Sequence, residues 1–591
     1  VAELINLLSR LWAHISPKRR AQTATLFVVM IAASFAELVS IGMVVPFLGV
    51  LTSPELVFEY RPVQPLLEFF DLTDPQDLLL PTTLAFVAAV VLAAGTRFLL
   101  VWLQAKVSLA IVNELATNAY HRTLNQPYSV HISRSSSEVI SGILSKVSGA
   151  LGNTLAAVLV IISSQVILIT ILIALIATNP VLALSSLIAF GSAYLVIFLL
   201  VKKRLASDSV LMNIASTEVV KVLQEGLGGI RDVLLDGTQT LHSSAYRHAD
   251  ANLRKAQASI QVASIGPRFL IEALGMAVIA TIAYFLASQP GGFLTAVPVM
   301  GALALGAQRV LPLLHQSYAS WSQILGNSDS LRDALDLLDQ PINEGSGSLP
   351  NITEVKFNKA IKLDRVGFRY SMQDPSTISR LSISLPRGSR TGIIGSTGSG
   401  KSTLVDIVMG LLQPTEGCLM IDDQKIVDAN RRAWQRRIAH VPQSIFLSDA
   451  TIAENIAFGV PREKIDHERV VVAAQQAQIS QTIETWREQY QSVVGERGVK
   501  LSGGQRQRIG IARALYKQAD VIIFDEATSA LDNETEHAVM EAIDGLGDQL
   551  TIVIVAHRLT TLRNCTQIIE LKNGKLHWVG RYQDIIDKSV S

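Results

Sequence analysis

The first half of the chain is written in long apolar runs. Residues 21–51 carry one charge, Glu37; residues 78–96 carry none before Arg97; residues 147–178 carry none. Residues 181–201 are uncharged up to Lys202, Lys203 and Arg204, and 273–308 are uncharged with a break at Gln289-Pro-Gly-Gly292. About 20 apolar residues cross a hydrocarbon core as a helix. The pattern predicts six spans, at about 21–51, 78–105, 147–178, 181–201, 261–288 and 293–326. Helices buried in a soluble protein seldom run about 30 residues without a charged face.

Between the spans, 106–146 and 202–260 are long, polar and helix-permissive. They predict helices that continue beyond the bilayer, joined in pairs by short transverse turns, with Tyr128–Ser135 and Gly226–Leu234 as candidates. After residue 340 the pattern changes. Gly345-Ser-Gly-Ser348 and Pro350 mark a linker at 341–360. Beyond it, short continuous apolar runs such as Thr391–Ile394, Val521–Phe524 and Thr551–Ala556 predict buried parallel strands. The expected organisation is an N-terminal elbow segment 1–20, a six-span domain 21–340, the linker 341–360 and an α/β domain 361–591.

Composition supports this division. Of 591 residues, 49% are hydrophobic and 17% charged, more apolar than a usual soluble protein. The net charge of +1 gives no ground for a nucleic-acid partner. Two cysteines, Cys418 and Cys565, are too few for a disulfide framework and suit a reducing compartment. Loop charges set the orientation. Arg10, Lys18, Arg19 and Arg20 precede the first span, whereas 52–77 holds Arg61 against six acids. The N-terminus and the α/β domain are therefore expected in the cytoplasm, with loop 52–77 outside.

The α/β half carries phosphate chemistry. Gly395-Ser396-Thr397-Gly398-Ser399-Gly400-Lys401-Ser402 follows a predicted strand and opens a helix at Thr403. In that context backbone N–H groups and the helix N-terminus bind phosphates, Lys401 adds charge and Ser402 ligands Mg²⁺. Asp525, at the end of an apolar strand, is a second metal candidate, and Glu526 beside it is the candidate general base. Gln443 can reach the metal or the attacking water, and His557 ends another apolar strand as a candidate γ-phosphate contact. Tyr370, before the first strands of the domain, is a candidate to stack on adenine. Leu501-Ser502-Gly503-Gly504-Gln505 opens a helix and makes a second anion site, one that the first loop does not need.

Taken together, the motifs resemble the ATP-binding cassette family. The resemblance implies that Ser502–Gln505 cap the γ-phosphate of ATP held by an opposite subunit. It also implies that Ser529-Ala-Leu-Asp532 is a dimer-contact loop and that Gly495–Gly498 meets the transverse turns. With six spans ahead of the cassette, the whole chain resembles an exporter half-transporter: a six-helix, exporter-type (type IV) transmembrane domain fused to an α/β P-loop domain. ATP and Mg²⁺ are the expected cofactors, and a second identical subunit is the expected partner.

Three arginines interrupt the spans: Arg97, Arg268 and Arg309. Each lies roughly 24–30 Å from its outer helix end at about 1.5 Å per residue. Intramembrane charges normally face a cavity, and paired by symmetry these would suit a phosphate or pyrophosphate. Arg97 snorkelling and an Arg268–Glu272 pair are the structural alternatives. The membrane half resembles bacterial flippases for lipid-linked oligosaccharides at Ser40–Phe47 and Pro267–Glu272, with 63–70 as a short external helix. That implies an anionic, polyprenyl-pyrophosphate-linked cargo moved to the outer leaflet of a bacterial inner membrane. Export of another lipid, a drug or a peptide is the nearest rival, and an ATP-gated channel or an importer is more distant.

Overall fold

The computed structural model describes residues 2–52, 54–58, 74–178, 180–287, 310–341, 354–527, 531–545, 550–556 and 558–585. The chain divides into two compact units. One comprises Val1–Gln126 with Arg134–Ile342, the other Pro127–Ser133 with Asn343–Ser591.

The first unit is helical. Ala2–His14 buries Leu4, Leu7 and Leu11 at helical spacing. It is tied to helix Ser328–Leu338 and the residue after it by Arg10–Asp336 (2.7 Å), Arg10–Asp339, His14–Asp339 (2.6 Å) and Arg332–Glu3. Exposed pairs of this kind contribute at most about 1 kcal/mol each, so the leucine face holds the helix and the pairs set its register.

Long helices follow at Pro17–Gly42, Leu79–Leu124, Gly152–Thr178, Pro180–Gly228, Gln239–Ile265, Pro267–Ala287 and 310–326. Among the described residues, Pro17–Gly42, Pro75–Leu124 and Ser136–Ala174 are long and apolar enough to cross a membrane. Large apolar side chains such as Leu84, Phe98 and Leu200 point outward, the inverse of a soluble surface and as expected in lipid. Leu79–Leu124 has 46 residues and Pro180–Gly228 has 49, well beyond the apolar runs that start them.

Two interruptions have local causes. The expected run 21–51 divides at Met43, where Pro17–Gly42 ends and Val44–Thr52 begins. Pro46 lies in the first turn of the second helix, where its missing N–H costs nothing. At Gly266–Pro267 the fifth span separates from helix Gln239–Ile265, because proline can neither donate to nor clear the preceding turn. The expected external helix 63–70, the break at 289–292 and the start of the sixth span lie outside the described residues.

The second unit holds two sheets. Its strands are β1 (Ala360–Phe368), β2 (Ile378–Pro386), β3 (Arg390–Gly395), β4 (Glu416–Ile421), β5 (Gln424–Lys425), β6 (Ile438–Val441), β7 (Val521–Asp525), β8 (Thr551–Val555), β9 (Gln567–Lys572) and β10 (Lys575–Gly580). One sheet is antiparallel, in order β2-β1-β4-β5. The other runs β10-β9-β3-β8-β7-β6 and is parallel from β9 to β6. Val355 and Phe357, within the expected linker, are buried in this unit's core beside Trp434.

Candidate functional site

Parallel strands release their following loops on one edge of the sheet, where ligands of open α/β sheets bind. β3, β6, β7 and β8 are adjacent in the order β3-β8-β7-β6. The loops after them carry, respectively, Gly395–Ser402, Gln443, Glu526 and His557. Motifs scattered over more than a hundred residues thus meet through topology. His557 itself lies outside the described residues.

β3 ends at Gly395 and helix Lys401–Val408 begins six residues later. At Gly395, with φ +153°, a Cβ would sit 2.4 Å from the Leu571 carbonyl oxygen. Gly400 caps the helix at φ +97°, a left-handed conformation that favours glycine. Lys401 is buried, and its Nζ donates to the carbonyls of Gly395 (2.9 Å) and Ser396 (3.2 Å). Ser396, Thr397 and Gly398 are exposed, Ser399 is buried and Ser402 is exposed on the first turn. The buried Thr403 shares a 3.0 Å hydrogen bond with the Tyr370 hydroxyl. Tyr370 follows β1 instead of preceding the strands, and its half-exposed ring stands edge-on to Phe368 at 5.0 Å.

Across the sheet, Gln443 Nε2 donates to Glu526 Oε2 at 2.7 Å. Glu526 adopts φ +51°, costly for a residue with a Cβ, and its backbone N–H is held by the Val555 carbonyl. Burial and the neighbouring Glu526 raise the Asp525 pKa, with Lys401 opposing. Asp406, on the helix after the phosphate loop, is pushed up to about 6 by burial and by Asp525. It was not among the expected site residues. The signal was present: an acid inside the apolar run Leu404-Val-Asp-Ile-Val408.

Ser502 is the N-cap of helix Gly503–Tyr516. Its Oγ accepts from Gln505 N at 3.2 Å, while Gln505 Oε1 accepts from Ser502 N at 2.8 Å. This reciprocal box leaves the N–H groups of Gly503 and Gly504 at an open helix end. Asp532 caps Asn533–Asp544 through Thr535; Ser529 lies outside the described residues. Helix Tyr128–Ser133 belongs to the second unit, where burial, with smaller contributions from Asp406 and Tyr370, raises the Tyr128 pKa. The other expected turn forms the short helix Ile230–Leu235 in the first unit.

The three arginines are not equivalent. Arg268 is paired with Glu272 at 2.7 Å, one turn on. Arg97 is exposed, with no ion pair among the described residues. Arg309 lies outside them.

Comparison with known proteins agrees over most of the length. The model described as ABC transporter matches residues 378–529, and that described as ABC transporter transmembrane region matches 24–291. An ATP-dependent lipid A-core flippase of Cupriavidus metallidurans is 30% identical over 515 residues, 85% of each chain. The protein of the same name from Chromohalobacter salexigens is 30% identical over 511 residues, 85% of this chain and 86% of that one. Among solved structures, a bacterial Atm1-family ABC exporter with ATP bound superposes with a TM-score of 0.78. It is 23% identical and covers 97% of this chain and 96% of its own, a likeness of fold.

Proposed function

Because the chain belongs to the ABC transporter family, with the exporter-type fold and an ATP-hydrolysing cassette, we propose that it flips an anionic lipid across a bacterial inner membrane. In this reading it works as a homodimer, with the N-terminus and cassette in the cytoplasm. The whole-length likeness to relatives named as lipid A-core flippases is the observation that carries the lipid reading. The proposed cargo is lipid A-core, as in those names, or the polyprenyl-pyrophosphate-linked oligosaccharide implied by the membrane-half motifs. Arg97 supports a negatively charged head group. Arg268 supports it less, since Glu272 already neutralises it.

The catalytic assignment follows from the loop edge. Among the described residues Lys401 donates to the carbonyls of Gly395 and Ser396, weaker partners than a phosphate, so its ammonium is available to the β- and γ-phosphates of ATP. Ser402, Gln443 and Asp525 would offer an all-oxygen donor set, which suits Mg²⁺; burial and the neighbouring Glu526 both raise Asp525, and a cation would stabilise the paired carboxylates there. When bound, Mg²⁺ neutralises phosphate charge. Glu526 orients and deprotonates the attacking water, with Gln443 fixing its carboxylate. Tyr370 is assigned to adenine, His557 to the γ-phosphate, and Ser502–Gln505 with Ser529 and Asp532 to the opposite subunit's nucleotide and contact loop.

The test is reconstitution in liposomes carrying fluorescent polyprenyl-pyrophosphate-linked oligosaccharide or lipid A-core. ATP-dependent loss of access from the cassette side, absent with Glu526→Gln, is expected for one of them. ATP-dependent transport of neutral amphiphiles with no movement of either lipid would overturn the cargo reading and leave the ATPase assignment intact.

A further inference from the structure

The first two spans enclose a groove that none of the assigned roles uses. Helices Pro17–Gly42 and Leu79–Leu124 pack side by side and leave an open cleft of about 420 Å³ between their faces. It runs from Arg19 and Gln22 at one end to Leu26, Val29 and Leu103 at the other, about 15 Å at 1.5 Å per residue. Its walls are mostly apolar, and the charged side chains that line it are two cations, Arg19 and Lys106.

The two cations differ in their partners. Arg19 gives Nε to Glu114 (3.1 Å) and Nη1 to Gln22 (2.9 Å), leaving Nη2 without a partner among the described residues. Lys106, about two turns before Glu114 on the same helix, has no carboxylate partner among the described residues. Its ammonium sits 3.9 Å from the Trp102 ring centroid, a position that fixes the cation without neutralising it. An unneutralised, ring-anchored ammonium above an apolar trough matches one kind of occupant. We propose that this groove is a docking site for an anionic glycerophospholipid of the adjoining leaflet, its phosphate on Lys106 and an acyl chain along Leu26, Val29 and Leu103. In this proposal a lipid bound here is a resident of the protein and not its cargo. The charge selects phosphatidylglycerol over zwitterionic lipids, whose own cation competes for the phosphate.

The test is native mass spectrometry of the purified, detergent-solubilised full chain with added phosphatidylglycerol or phosphatidylcholine, without nucleotide. The wild type is expected to retain phosphatidylglycerol at least about fivefold more than phosphatidylcholine, one site per chain standing out. Lys106→Glu is expected to abolish that preference and Lys106→Arg to keep it, each checked for an unchanged gel-filtration profile and thermal midpoint. Val107→Trp, which fills the trough, covers the case in which Lys106→Glu fails to fold, and is expected to lose the lipid of both classes. Equal retention of the two lipids by wild type, or undiminished phosphatidylglycerol in Lys106→Glu or Val107→Trp, overturns the proposal. So does efficient disulfide cross-linking between copies through Val107→Cys, since a second chain would then fill the groove. None of these readouts needs ATP turnover or flipping, so failure here is distinct from failure of the transport reading.

Discussion

Glu526 is held in a left-handed conformation with its carboxylate already bonded to the Gln443 amide. If it is the base, Glu526→Gln keeps nucleotide affinity within about twofold and lowers turnover by about 10²-fold or more. Fluorescent-nucleotide titration with a phosphate-release assay checks this; near-normal hydrolysis would remove Glu526 from the role. His440 gives a pH-dependent case on the same strand as the Gln443 loop. Burial lowers its pKa to about 4, and its Nε2 has no partner among the described residues. The unfolded chain therefore binds a proton at higher pH than the folded one. Stability from this site is present above about 6.5 and is lost as pH falls toward 4. His440→Gln is expected to flatten the decline of the thermal midpoint between pH 6.5 and 4; an unchanged slope would exclude His440 as its source. At this scale the sequence was legible wherever chemistry demands a fixed spacing, as in Gly395–Ser402. Gln443 and Glu526 were each legible singly, but the bond between them spans 83 positions and depends on which strands become neighbours. Arg268–Glu272 was legible because four residues on a helix make one turn.

Elements explain where such reading stops. The strands at Thr391, Val521 and Thr551 stand where apolar runs predict them, because a strand covered on both faces has no other composition. The division at Met43 is marked by Pro46 and not by the hydrophobic pattern, since a helix in lipid is apolar on both sides of a break. Ser502 shows how one side chain serves its own helix and an expected partner. Its cap contributes about 1 kcal/mol, and asparagine caps as well as serine. Ser502→Ala should lower both the cassette's thermal midpoint and ATP turnover. Ser502→Asn should restore the midpoint while turnover stays low. Full recovery of turnover with asparagine would mean that capping is the whole of its role.

For the whole molecule, the dimer and the cargo path make separable predictions. Co-purified pairs of one wild-type and one Glu526→Gln chain should hydrolyse ATP at well under half the wild-type rate if both sites must fire; a rate near half would indicate independent subunits. Arg97→Ala should reduce lipid flipping at least about tenfold while basal hydrolysis falls less than about twofold, measured in the same proteoliposomes. Parallel losses in both would place Arg97 in the structure of the spans and not on the cargo route.

Helix Pro180–Gly228 has a consequence of its own. Its 49 residues extend roughly 74 Å, while the hydrocarbon layer is about 30 Å thick, so more than half of the rod stands outside it. Helix Gln239–Ile265 packs along it and stiffens it. Such a paired beam behaves as a lever with unequal arms. A tilt of about 5° about the membrane segment sweeps the far tip through roughly 4 Å over a 44 Å arm. Run in reverse, a few ångströms of travel at that tip becomes a small, forceful rotation among the spans, a mechanical advantage set by nothing more than the number of residues in one helix.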